Sequence, residues 1–149
     1  MPFEGIPCRY VSPIEGFKKY ADVVYEQGCV DVRCNTEEYV FPAMRAAREA
    51  DATVVVVGLS LDFEREDLDR EDFELPGYQN KLISQVQSVA KGPVIIVILC
   101  AGGVNVSQYA SSPLYDSIIW AGYPGQEGGQ AIADIVFGAH NPGPVSVSP

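Results

Sequence analysis

Short apolar runs and amphipathic stretches alternate along the chain. Four apolar runs predict β-strands, at residues 23–25, 53–58, 93–99 and 117–121. The run at 53–58 is apolar on both faces, which is typical of a central parallel strand covered by helices.

The stretches between these runs have the spacing and the end signals of helices. Ser12-Pro13-Ile14-Glu15 has the sequence of a capping box and predicts a short helix that ends near Tyr20. Apolar positions at helical spacing predict three further helices, after Asn35-Thr36, from Pro76 to about Ala90, and from Ala131 to Gly138. The alternation of strands and helices predicts an α/β fold, a three-layer sandwich with a mainly parallel central sheet and a flavodoxin-like or Rossmann-like topology.

Composition narrows the choice of domain number and partners. The 149 residues and 47% hydrophobic content predict one folded domain over 1–149. A formal net charge of −10 disfavours nucleic acid and anionic membranes as partners. No apolar run approaches the length of a membrane span, so we expect no membrane partner. Residues 1–5 show no signal-peptide pattern, so the residues alone do not indicate a compartment.

An acidic segment follows the second apolar run. Residues 59–72 contain seven carboxylates among fourteen residues. A solvated acidic loop is the simpler interpretation. Ligands of parallel α/β sheets, however, bind beyond the carboxyl ends of the strands, where one of these carboxylates would be able to serve as a general acid.

Two glycine-containing segments also follow predicted strands. Residues 122–130 lack the order of a dinucleotide or phosphate loop, so a nucleotide site is disfavoured and a tight turn is the alternative. Residues 100–107 contain a glycosylation sequon at Asn105, which matters only if the chain is secreted. The single His140 has no nucleophile-elbow partner, so a hydrolase triad finds no support.

The four cysteines match no zinc spacing, and we expect no metal site. Cys29 and Cys34 are close enough in the sequence to close a small disulfide, and a pair of free thiols is the competing interpretation.

Several motifs in one order resemble glycoside hydrolase family 3. The chain is similar to the second, α/β-sandwich domain of the plant secreted β-D-xylosidases and α-L-arabinofuranosidases of that family. The motifs are Gly5-Ile6-Pro7-Cys8-Arg9-Tyr10, Ser12-Pro13, Tyr25-Glu26-Gln27-Gly28-Cys29, Val55-Val56-Val57-Gly58-Leu59, Glu64-x-Glu66-x-x-Asp69-Arg70, Leu75-Pro76-Gly77-Tyr78-Gln79 and Trp120-Ala121-Gly122-Tyr123-Pro124-Gly125.

The resemblance implies a retaining exo-glycosidase that removes xylose or arabinose units and needs no metal or organic cofactor. It implies that Glu64, or as second choice Glu66, is the acid/base carboxylate. It further implies that Asp69 and Arg70 order the loop and, with Tyr123 and Pro124, lie near the bound sugar. Members of the family usually carry small residues where this chain has Arg65 and Asp67. Because the similar proteins are secreted, the resemblance also implies an extracellular or cell-wall location and a Cys29–Cys34 disulfide.

The catalytic pair needs a second carboxylate, a nucleophilic Asp that in this family belongs to a barrel domain. No stretch of the chain resembles that domain, so we expect the isolated chain to be inactive and to bind xylose-type or arabinose-type sugars weakly. The alternative is a non-catalytic carbohydrate-binding, inhibitory, defence or storage protein derived from the domain. If Glu64 is the acid/base group, neighbouring carboxylates and partial burial are expected to raise its pKa, in a loop that is otherwise exposed.

Overall fold

The computed structural model describes residues 7–142 and has an α/β fold. The signal-peptide assessment at residues 1–5 lies outside this range. The elements are α1 (Pro13–Phe17), α2 (Val40–Glu49), β1 (Thr53–Gly58), α3 (Gln79–Val89), β2 (Val94–Leu99), α4 (Ser107–Ala110), β3 (Ser117–Trp120) and α5 (Gly128–Val136).

Two compact units divide the chain, and each is described by itself. The sheet unit comprises residues 24–123, and within the described range the helix-pair unit comprises residues 7–23 and 124–142.

The sheet unit contains a three-stranded parallel sheet in the order β1-β2-β3. Val55 of β1 pairs with Ile96 of β2, and Ile96 pairs with Ile118 of β3. Helices α2 and α3 pack together, and they share one core with one face of this sheet, because side chains of both belong to the same buried cluster. The predicted α/β class and parallel strand arrangement are therefore confirmed.

The carboxyl ends of the three strands place three loops at one edge of the sheet. Gly58 ends β1 with a φ of +149°, and a side chain there would lie 2.0 Å from the Leu99 carbonyl oxygen. Only glycine allows β1 and β2 to approach so closely at the point where the acidic segment begins.

Two predictions about strands are wrong. Residues 23–25 form no strand, because Val24 is 78% exposed and nothing pairs with this short run in the described part of the chain. The strand at 53–58 forms, but it lies at the edge of the described sheet, and β2 is central. Val56 is accordingly 40% exposed, whereas Ile96 and Val97 are fully buried.

Helix ends also differ from the sequence patterns. Helix α2 begins at Val40 after a turn, not at the Asn35-Thr36 pair, and α3 begins at Gln79, three residues after Pro76. The capping box at Ser12 is present, with Ser12 Oγ accepting from the Glu15 amide and Glu15 accepting from the Ser12 amide.

In the helix-pair unit, α1 and α5 pack so closely that their backbones are in contact. A side chain on Gly16 would lie 2.2 Å from the Gly129 carbonyl oxygen, and one on Gly129 would lie 2.1 Å from the Ser12 carbonyl carbon. The Gly129 amide donates to the Val11 carbonyl oxygen. Both glycines are thus required by close packing of the two segments.

Candidate functional site

The Glu64 carboxylate joins the loops that follow all three strands. Its Oε1 accepts hydrogen bonds from the Ala101 amide (2.6 Å) and the Tyr123 hydroxyl (2.7 Å), and its Oε2 accepts from the Gly102 amide (3.2 Å). Glu64 itself follows β1, Ala101 and Gly102 follow β2, and Tyr123 follows β3. Residues that are distant in sequence therefore meet because parallel strands end at a common edge.

Electrostatics keep this carboxylate ionised. The Glu64 side chain is only 12% exposed, and burial by itself raises the pKa of its carboxyl. The hydrogen bonds from Tyr123, Ala101 and Gly102, together with the Arg70 charge, outweigh that effect and hold the pKa of Glu64 below its ordinary value. The expected rise in the pKa of Glu64 is therefore wrong, because the buried carboxylate faces donors and a cation.

Arg70 lies beside Glu64 and reaches the loop after β2. Its Nη1 is 4.0 Å from Glu64 Oε2, and its Nη2 donates to the Gly103 carbonyl oxygen. Nη1 is buried and has no hydrogen-bond partner in residues 7–142. The guanidinium also lies over the Phe73 ring, 5.7 Å from its centroid. Arg70 thus holds the end of the acidic loop against the β2 loop.

Glu66 occupies a different environment at the tip of the loop. Arg65 and Leu68 pair through backbone hydrogen bonds in both directions, so Glu66 and Asp67 form the two central residues of a tight turn. Asp67 has a φ of +68°, in the left-handed region that favours glycine. Glu66 is exposed, and its side chain makes no hydrogen bond or ion pair within the described range.

The remaining predicted site residues divide between the two units. Asp69 is exposed. It lines an open depression together with Glu64, Arg65 and Arg70. Pro124 belongs to the helix-pair unit, where its ring leaves no room for a side chain on Gly128.

Tyr123 is half-exposed although its hydroxyl binds Glu64. Partial burial and the Glu64 hydrogen bond raise the pKa of Tyr123. A neutral phenol is therefore retained over the ordinary pH range, and its proton stays directed at Glu64 Oε1.

Cys29 and Cys34 are joined by a disulfide bond in the structure, and Cys8 and Cys100 are free. Asn105 is exposed, its amide nitrogen donates to Glu74 Oε1, and its side-chain oxygen accepts from the Ser107 amide. In the described residues no group of His, Cys, Asp and Glu side chains has an arrangement that would hold a metal ion, and no helix there is long and apolar enough to cross a membrane.

The sequence pattern did not reveal the backbone donors Ala101 and Gly102 or the side chain of Gln79. Gln79 is 3% exposed and hydrogen bonds to the end of β1. The small residues directly after β2 were the available signal for a backbone-lined contact. No periodic signal marks Gln79, because it is a single polar residue at a helix start.

Comparison with known proteins gives one consistent family. Residues 4–147 match the model of the glycosyl hydrolase family 3 C-terminal domain. "Beta-xylosidase/alpha-L-arabinofuranosidase 1" of Medicago sativa subsp. varia is 46% identical over 140 residues, which are 94% of this chain and 18% of that protein. "Beta-D-xylosidase 1" of Arabidopsis thaliana is 46% identical over 95% of this chain and 18% of its own length.

Solved structures agree with the sequence comparison. The fold is similar to that of a GH3 exo-beta-xylosidase (XlnD) in complex with a xylobiose aziridine activity-based probe, with a TM-score of 0.85 and 33% identity. The match covers 91% of this chain and 17% of that one. A Bifidobacterium adolescentis GH3 beta-glucosidase matches with a TM-score of 0.79 and 27% identity, over 89% of this chain and 20% of that one. The chain thus spans about a fifth of the length of these relatives.

Proposed function

The chain belongs to glycosyl hydrolase family 3 as a C-terminal domain, and from that premise we propose that it supplies the acid/base carboxylate of a retaining exo-glycosidase. The proposed substrates are xylan-derived or arabinoxylan-derived oligosaccharides with xylose or arabinose at the non-reducing end. The names of the Medicago and Arabidopsis relatives support this substrate class.

We assign the acid/base role to Glu66, and the observation that carries the assignment is the environment of Glu64. A general acid must present a carboxyl oxygen that is free to reach the leaving oxygen. Both oxygens of Glu64 are occupied by three donors, the Ala101 and Gly102 amides and the Tyr123 hydroxyl. Glu66, two residues away, is exposed and its side chain makes no hydrogen bond or ion pair in residues 7–142.

In this mechanism Glu64 and Arg70 hold the loop while Glu66 moves the proton. Glu66 protonates the glycosidic oxygen as the bond to the anomeric carbon breaks, and a nucleophilic Asp outside this chain's described residues forms the glycosyl–enzyme bond. Glu66 then accepts a proton from the water that hydrolyses that bond. Retention of configuration requires the two carboxyl groups to be about 5–5.5 Å apart.

We also place the protein in an oxidising compartment, outside the cell or in the cell wall. The Cys29–Cys34 disulfide supports this location, since such bonds persist mainly in secreted proteins.

A carbohydrate-binding role without catalysis is the second candidate. Two exposed aromatic side chains lie at this edge of the sheet: Trp120 is the last residue of β3, and Tyr123 follows three residues later. Aromatic rings and a few polar groups are the usual lining of ligand sites, so these two rings support weak binding of a pentose. This second candidate is tested by titrating the isotope-labelled chain with xylobiose and following the amide chemical shifts by NMR. Shifts confined to the loops at 59–72 and 121–123 would support it.

The catalytic assignment is tested in a chimera in which this chain replaces the matching 140 residues of the Medicago enzyme. We expect Glu66→Ala to slow hydrolysis of xylosides with poor leaving groups by about 10²–10⁴-fold, because proton donation is lost. Xylosides with a dinitrophenyl leaving group need little protonation, so the glycosyl–enzyme still forms, but the water that would hydrolyse it has lost its general base. Azide needs no base to displace the enzyme carboxylate, so added azide should restore turnover and yield a β-xylosyl azide.

Glu71→Ala is the matched control, because Glu71 is an exposed carboxylate of the same loop. Glu71→Ala should leave the rate of hydrolysis unchanged for both classes of xyloside, those with poor and those with good leaving groups. If Glu64→Ala, and not Glu66→Ala, shows the dependence on leaving group and the azide product, the assignment to Glu66 is wrong.

A further inference from the structure

A buried amide closes the outer edge of β1. Gln79 Oε1 accepts from the Gly58 amide (2.8 Å), and Gln79 Nε2 donates to the Gly58 carbonyl oxygen (2.9 Å). Gly58 is the last residue of the edge strand, so these backbone groups point away from β2. The Gln79 side chain therefore pairs with Gly58 as one residue of an additional strand would.

The same amide is tied to the disulfide loop, defined as residues 29–34. Gln79 Nε2 also donates to the Val32 carbonyl oxygen (2.7 Å). The Tyr78 amide donates to the Cys34 carbonyl oxygen (2.9 Å). A side chain on Gly77 would lie 2.1 Å from the Arg33 carbonyl oxygen, so the disulfide loop lies directly against the chain that begins α3.

The disulfide loop also contacts the acidic loop through a side chain. Arg33 Nη2 is 3.5 Å from Asp62 Oδ2, and its guanidinium lies 5.4 Å from the centroid of the Phe63 ring. Asp62 and Phe63 directly precede Glu64 in the sequence. The disulfide loop thus holds the acidic loop twice, at its origin through Gln79 and at its first turn through Arg33.

We propose that Gln79 and Arg33 are positioning residues that fix where the acidic loop leaves β1 and how its first turn is directed, and thereby place Glu64 and Glu66. For Glu66 the proposal rests on the function proposed above. Neither residue touches the reacting atoms. Arg33 belongs to the disulfide loop, and Gln79, the first residue of α3, is hydrogen-bonded to it.

The contacts of Arg33 and those of Gln79 differ in how strongly they hold the acidic loop. The Arg33–Asp62 pair is exposed, and such pairs are weak, but the ring contact adds a second attraction to the same guanidinium. The Gln79 contacts are buried, and their loss leaves Gly58 and Val32 backbone groups without partners. We therefore expect a local effect from Arg33 and a larger effect from Gln79.

The test uses the disulfide-intact 149-residue chain with Arg33→Met, Arg33→Lys and Gln79→Met, and Gln85→Met as the control. Gln85 lies on the same helix, and its side chain has no hydrogen bond in the described residues. Two measurements are made on each variant, hydrogen exchange of peptides covering 59–66 and the amide proton shifts of Ala101 and Gly102. Those two amides report the position of Glu64, since they donate to its carboxylate.

We expect Arg33→Met to speed exchange in 59–66 by about fivefold, with upfield movement of the Ala101 and Gly102 amide protons. Arg33→Lys should restore part of both effects because it keeps the charge. Gln79→Met should speed exchange in 59–66 by more than about tenfold. Gln85→Met should change neither readout. If Gln79→Met does not fold, the Arg33 pair of variants decides the outcome, because Arg33 is an exposed side chain.

Two results would overturn the proposal. One is an Arg33→Met spectrum with unchanged Ala101 and Gly102 amides and unchanged exchange at 59–66. The other is faster exchange spread equally over β2, which indicates general destabilisation. Neither readout needs turnover. Failure of the Glu66 assignment in the chimera therefore leaves this test intact, and failure here leaves the chimera result intact.

Discussion

Glu64 and Glu66 are separated by one residue, yet their carboxylates meet different surroundings. Glu64 is mostly shielded from solvent and contacts two backbone amides, a phenol and a guanidinium, whereas Glu66 is exposed at the tip of a turn. Replacing each with the isosteric Gln therefore separates an anchoring role from a chemical one.

We expect Glu64→Gln to lower the free energy of unfolding by about 1–3 kcal/mol at pH 7, since a buried hydrogen-bonded anion is lost and one donor stays unpaired. Urea denaturation measures this change. The matched Glu66→Gln substitution should stay within about 0.5 kcal/mol of the parent chain, as is usual for exposed positions. Equal effects of the two substitutions would contradict the anchoring role of Glu64.

The Glu64 effect should depend on pH in one direction. The pKa of Glu64 is lower in the folded chain than its unfolded value of about 4.3, so its ionised form favours folding above that value. The contribution is lost as pH falls through the folded-state pKa. The difference between the parent chain and Glu64→Gln should thus shrink in denaturation curves recorded below about pH 4. A difference that grows on acidification would reverse the assigned sign.

Asp67 occupies a turn position that glycine fills without strain. Its φ of +68° costs an L residue free energy, though Asp tolerates this region better than most residues. We expect Asp67→Gly to raise the free energy of unfolding by up to about 1 kcal/mol. Asp69→Gly is the control and should not stabilise, because Asp69 lacks a positive φ. Thermal unfolding of both variants checks the prediction.

At the residue scale, the sequence predicted that the acidic segment follows a strand but did not indicate how the surroundings of Glu64 and Glu66 differ. The E-x-E spacing and the preceding strand placed both at the sheet edge. The direction of the pKa change depended on Ala101, Gly102 and Tyr123, which are 37 to 59 residues away in sequence. No local pattern contains that information.

At the scale of elements, the longer apolar runs predicted strands correctly and the shortest did not. The runs at 53–58, 93–99 and 117–121 gave β1, β2 and β3, while the three-residue run at 23–25 gave no strand. The sequence also did not predict which strand is central. β1 is apolar throughout, as a central strand would be, but within the described sheet only β2 has a strand on both sides. Strand order is a property of the assembled sheet.

The cysteines provide a prediction at this scale. Cys8 is exposed, and Cys100 is buried near the end of β2, where burial raises the pKa of its thiol. The thiolate is the reactive form, so iodoacetamide should label Cys8 first and Cys100 only after unfolding. Mass mapping should find Cys29 and Cys34 unlabelled until a reductant is added. Labelling of Cys29 or Cys34 in the native, unreduced protein would contradict the disulfide.

At the scale of the whole molecule, the chain spans about 18% of its plant relatives. A retaining mechanism needs two carboxyl groups, and the proposal assigns only the acid/base group to the described residues. We expect the purified 149-residue chain to show no measurable hydrolysis of aryl β-xylosides or arabinosides. A chromogenic assay with the chimera as positive control makes the measurement. Turnover by the isolated chain that disappears in Glu66→Gln would show that the second carboxylate is not needed.

The packing of α1 against α5 has a consequence for biosynthesis. Arg9 and Glu127 form an ion pair within the helix-pair unit although they are 118 residues apart. At a synthesis rate of about 5–20 residues per second, α1 leaves the ribosome roughly 6–24 s before its partner exists. A five-residue helix does not persist alone for that interval. The three strands lie between α1 and α5 in the sequence, so all of them are synthesised before α1 and α5 can pack together.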